Sequence, residues 1–153
     1  MSVPPNIDLF NRFTLDIFQR LYLSFPVAID LDVRTVLGSV TPPDATFDES
    51  FDAVFMASEA MRFLASEGFL THQEDPTGGH QCLQVRLTMK GLAVLGRMPA
   101  SLERKESLIS KILAVGGKGI KDAASEQVQE LASQAFTFML ASAPTIAGAL
   151  AGP

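Results

Sequence analysis

His72, Glu74, His80 and Cys82 lie close together in the chain, and imidazole, carboxylate and thiolate form a mixed N, O and S ligand set of the kind that holds zinc. The stretch reads as a β-hairpin, so strand register decides the matter. If Glu74 pairs across from His80, then His72 opposes Cys82 and all four share one face; a one-residue slip separates them. No CxxC or HExxH spacing supports the set, so the expectation is an ordinary polar hairpin with no metal and no cofactor. Gly116-Gly117-Lys118-Gly119 places a lysine among glycines as a phosphate loop does. The GxxxxGK[ST] spacing and a preceding buried strand are both absent, and the run reads as a hinge. Ser and Thr are plentiful, but the 2 histidines both fall on the hairpin. No nucleophile therefore has a paired base in view, and the chain is expected not to be an enzyme.

Charge is distributed unevenly. Residues 1–85 carry 4 Lys+Arg against 12 Asp+Glu, a net of −8, and residues 86–153 carry 8 against 5, a net of +3. Such an asymmetry suits an anionic partner, or an acidic half of one subunit meeting a basic half of another. With 47% hydrophobic residues in 153, the chain can bury a proper core. The single cysteine rules out an internal disulfide, which points to a reducing, cytoplasmic setting. MSVPPNIDLFNRF has no basic start followed by an apolar run, so no secretory signal is expected. Residues 131–151 are uncharged and near the length of a membrane span. Gln134, Pro144, several hydroxyls and the lack of a flanking basic cluster instead favour a helix buried in an oligomer.

These residues must be positioned by a mainly helical frame. Ile7, Phe10, Phe13, Ile17, Leu21 and Phe25 recur every three or four residues, which predicts one buried face on a helix over 7–24, stopped by Pro26. PVAID reads as a short strand. Asp32 can cap the brief helix VRTVL, with Gly38 as a left-handed terminator. Thr46 and Glu49 form a capping box for a helix over 46–67 with a stripe of Phe47, Phe51, Val54, Phe55, Met61, Leu64 and Ala65, ended by Gly68. A hairpin follows in which Leu83, Val85 and Leu87 alternate with Cys82, Gln84 and Arg86. Thr88 caps MKGLAVLGRM, closed by Pro99. A helix from Ser101 to Val115 and an amphipathic one over 120–142, with Ile120, Ala124, Val128, Leu131, Ala135 and Phe138 on one face, precede a loose tail.

The run AMRFLASEGFLTHQEDPTGGHQCLQVRLTMKGLAVL joins a helix ending in a small-acidic-Gly-aromatic turn to a hairpin and then to Leu-Thr-x-Lys-Gly opening a helix. It resembles the winged helix-turn-helix superfamily, most closely the bacterial and phage branches related to MarR and PadR regulators, over about residues 7–98. The resemblance implies a mainly α (α+β) fold: a winged domain over 1–99 with a two-stranded wing, and a C-terminal helical extension over 100–153. It also implies that the 46–67 helix faces a DNA major groove. Yet Asp48, Glu49, Asp52, Glu59 and Glu67 stand there against Arg62 alone, the wrong sign for approaching phosphates.

The expectation is therefore a non-enzymatic regulatory or adaptor module acting through protein contacts. It is expected to be homo-oligomeric through Phe10, Phe13, Ile17, Val128, Leu131 and Phe138, since apolar helices flanking a winged domain pack within a subunit or between two. The alternative is a DNA-binding transcriptional regulator that holds phosphates through Arg62, Arg86, Lys90 and Arg97.

Overall fold

The computed structural model describes residues 3–41, 51–97 and 107–151, with side chains for all of these except 51–52 and 142–151. Its elements run α1 (Pro5–Ser24), β1 (Ile29–Asp32), α2 (Val33–Val40), α3 (Phe51–Ser66), β2 (Leu70–Glu74), β3 (Gln81–Leu87), α4 (Met89–Gly96), α5 (Leu108–Lys118), a 3-10 turn (Ile120–Asp122) and α6 (Ser125–Ala151). The fold is mainly helical with a small antiparallel sheet in the order β1-β3-β2. The capping box at Thr46 and the closing Pro99 lie outside the described residues.

The first helix is the hub. Pro5 occupies its first position, where a missing N–H costs nothing, and the helix ends at Ser24, just before Pro26. Periodicity predicted one buried face, but every residue from Asn11 to Phe18 is buried. The reason is that α1 is packed on two sides, by α2, α3 and β3 and by α5 and α6. Burial reaches Asn11, Arg12, Thr14 and Asp16, and the charged ones among these must be compensated. Asp16 accepts hydrogen bonds from Gln19 Nε2 at 2.8 Å and Arg20 Nε at 2.6 Å. Arg12, 3% exposed, donates from Nε to Asp8 at 2.8 Å, from one Nη to the Ile120 carbonyl at 2.6 Å and from the other to Ser125 Oγ at 3.1 Å. It thereby ties α1 to the joint between α5 and α6.

The sheet corrects two expectations. The wing was read as two strands, but β1 pairs with β3 and makes a third. The alternation in β3 is also broken. From Ile29↔Val85 to Leu31↔Cys82 the partner advances by two and β3 by three, and the same slip separates Thr71↔Arg86 from Gln73↔Leu83. The extra residue is Gln84, which has φ +53, and the Asp30 carboxylate accepts its N–H at 2.9 Å. A bulge re-aims what lies beyond it. Cys82, Val85 and Leu87 therefore face the core while Leu83 stays half-buried.

Helix ends follow their capping residues. Asp32 accepts from the Arg34 N–H at 2.9 Å as expected, but Gly38 does not stop α2, which continues to Val40. Thr88 caps α4 by accepting from the Gly91 N–H at 2.9 Å and donates its own proton to the Gly68 carbonyl. Gly91 sits so close to β2 that a Cβ there would stand 2.1 Å from the Phe69 carbonyl oxygen. Two roles in the Leu-Thr-x-Lys-Gly run are thus structural.

Helix boundaries beyond residue 107 differ from expectation as well. Ser107 caps α5, and Gly116 and Gly117 lie within that helix rather than breaking it. Gly119, at φ +101, ends it. The predicted helix over 120–142 is instead the 3-10 turn followed by α6, and the tail expected to be loose is helical to Ala151.

Among the described residues the buried apolar side chains, from Leu9 to Met139, form one cluster. Phe13, Ile17, Val128 and Leu131, expected to face another subunit, are buried here within their own chain. Phe10 stacks on Phe136 at 5.7 Å. In α3 the buried face is Ala53, Ala57, Ala60, Met61 and Leu64, with Val54 and Ala65 packed against the core; of the stripe read from the sequence Phe55 is instead exposed, and Phe47 and the side chain of Phe51 lie outside the described residues.

Two glycine substitutions test this packing in opposite directions. Gly91→Ala is expected to lower the unfolding free energy by about 2 kcal/mol or more, because its Cβ meets backbone. Gly38→Ala, in a helical and exposed position with nothing within 4 Å, is expected to raise it by roughly 0.5–1 kcal/mol. Urea denaturation of both variants measures the two signs.

Candidate functional site

The surface that the resemblance assigns to recognition is the outer face of α3. Phe55, Glu59, Arg62 and Ser66, spaced by three and four, are all exposed and form one stripe along the helix. Phe63 stands beside them, 48% exposed, with its ring edge-on to Phe10 at 5.8 Å. Ala53, Ala57 and Met61 turn the opposite side of α3 into the core, and that orients the stripe outward.

Arg62 is the described cation of this helix, and it is fully engaged. Its Nη1 donates to Glu59 at 2.7 Å, and its Nε and Nη2 donate to the two carboxylate oxygens of Glu74 on β2 at 2.7 and 3.2 Å. A guanidinium suits such a fork because its donors are planar and fixed. The hydrogen bond from Arg62 holds the Glu74 carboxyl below the usual glutamate range, and the arginine's own proton is held more firmly in return. The result is a helix face carrying two carboxylates around one neutralised cation, with aromatic rings beside it.

The four residues expected to hold phosphates are thus not equivalent. Arg62 is paired. The Arg97 guanidinium lies 4.8 Å from the Phe138 ring centroid, a cation–π contact that ties the end of α4 to α6. Arg86 on β3 and Lys90 on α4 are exposed, and among the described residues neither has an ion pair.

The zinc set does not assemble. Glu74 lies opposite Cys82 rather than His80 and is held by Arg62, His72 falls beside the bulge and His80 precedes the strand. Among the described residues no group of three or more His, Cys, Asp or Glu side chains is placed to hold a metal. Cys82 is turned inward, where burial, with Glu74 adding to it, pushes its thiol up to about 11, and a thiol that keeps its proton is a poor ligand. His72 Nδ1 is buried without a hydrogen-bond partner.

Part of this geometry was within reach of sequence reasoning. Glu59 three residues before Arg62 is a readable helical pair. Glu74 was not, because its approach depends on where the bulge places β2 against α3. Among the described residues no helix is long and apolar enough to cross a membrane. No family model, curated protein or solved structure matches the chain.

Because ionised Glu74 is favoured only in the folded state, its contribution is fully present above the ordinary glutamate value and is lost as pH falls through its lowered folded value. The group is exposed, so the contribution is about 0.5 kcal/mol. Carboxyl-carbon NMR titration is expected to give Glu74 a midpoint below that of an ordinary glutamate, and Arg62→Met is expected to raise it.

Proposed function

We propose that this chain is a non-enzymatic winged helix-turn-helix module that acts as a regulator or adaptor, with the outer face of α3 meeting protein rather than DNA. Its order of helix, strand, helix, helix, strand, strand, helix through residue 96 supports the winged reading, as does the hairpin returning through Thr88 into α4. The observation that carries the functional part is the double engagement of Arg62 by Glu59 and Glu74. Nucleic-acid affinity comes largely from Lys and Arg neutralising phosphates, and the stripe has no cation to offer. Exposed aromatic rings flanked by charged groups are instead what protein interfaces enrich.

The proposal keeps self-association. Phe13, Ile17, Val128 and Leu131 are already enclosed by their own chain, so a second copy would need other apolar side chains, of which Phe63 is one.

A second reading rests on Arg86 and Lys90, both exposed and without an ion pair among the described residues. They would hold phosphates in a DNA-binding regulator. Fluorescence anisotropy with a mixed-sequence duplex, from low to physiological salt, separates the two. The adaptor reading expects no binding even at low salt. Binding that falls with a log–log slope of about −2, and that is abolished by Arg86→Ala with Lys90→Ala, would establish the second reading instead.

A further inference from the structure

We propose that the groove between α5 and α6 is a binding site for a small zwitterion, an α-amino acid or a short peptide, held between lysines on one wall and carboxylates on the other. The groove encloses about 510 Å³, within the range of small-molecule sites and between helices, where such sites occur. It belongs to elements that take no part in the α3 face.

Lys111 and Lys118 lie seven residues apart on α5 and line one side, so both ammonium groups project from one helix face. Glu130 on α6 lines the other side, with Asp122 at the joint. Among the described residues none of these four charges has an ion pair. Gln134 also lines the groove, and its Oε1 is buried with no donor.

The arrangement selects by exclusion. A polyanion meets Glu130 and Asp122, a polycation meets the lysines, and an apolar molecule would desolvate charges. A molecule with both a carboxylate and an ammonium group complements both walls. The joint is also held before any ligand arrives. Arg12 grips the Ile120 carbonyl and Ser125, and Gly119 closes α5 at φ +101. Preorganisation of this kind lowers the cost of binding.

The test is a nitrogen-15 NMR titration of the full chain at millimolar concentrations of an equimolar mixture of the twenty common L-amino acids and, separately, a mixture of dipeptides. Saturable shifts confined to α5, the joint and α6 are expected from at least one, and which one responds identifies the source. N-acetylated and carboxamide derivatives, each lacking one charge, are expected to bind about tenfold more weakly or not at all. Lys118→Ala and Glu130→Gln, both at exposed positions, are expected to cost a similar factor. No shift with either mixture, shifts elsewhere, or equal binding of the capped derivatives would overturn the proposal.

Discussion

A guanidinium cannot be enclosed in an apolar core unless its donors are matched, since an uncompensated buried charge costs several kcal/mol. Arg12 sits in that position, and its matching partners define the architecture. Asp8 comes from the same helix, one turn earlier, but the Ile120 carbonyl and Ser125 hydroxyl come from the far end of the chain. α1 can therefore be enclosed on both sides only when the joint between α5 and α6 is in place. The C-terminal helices complete the core and share one apolar cluster with the elements before them.

The sheet shows a comparable dependence on a single contact. Gln84 in a left-handed conformation would be strained, and Asp30 on the neighbouring strand offsets this by taking its N–H. With the bulge in place, Cys82 points inward and Glu74 comes within reach of Arg62. Without the bulge the pairing of Thr71 with Arg86 would continue to Glu74 across from Leu83; the bulge brings Cys82 there instead.

Elements with strong local signals were legible in the sequence. Asp32 and Thr88 cap the helices expected of them, and Gly68, at φ +90, ends α3 as read. Periodicity also located α1, but it could not show that Arg12 and Asp16 are buried, because polar residues at regular intervals look the same on a solvated face and on one covered by a second layer. The same limitation applies to Phe13 and Val128, which are buried within their own chain: they announce apolar faces, and no local signal says whether the covering surface belongs to the same chain. Register in β3 was illegible for another reason. Strict alternation and a bulge at Gln84 offer equally apolar inward sets, Leu83 in one and Cys82 in the other, and only the pairing with β1 and β2 distinguishes them. In the α3 stripe Met61 and Leu64 are buried as read, but Phe55 is exposed, because Ala53, Ala57 and Ala60 form the close-packed side of the helix.

The bulge also sets how this strand tolerates changes in length. Removing Gln84 alone would leave Cys82, Val85 and Leu87 on the interior side and Leu83 and Arg86 on the outer side, because regular pleating then coincides with the present arrangement. Removing Val85 instead would leave Gln84 in the inward place between Leu83 and Arg86. Positions 83 and 84 are thus the places in the bulge where one residue can be lost and every remaining side chain keep its face.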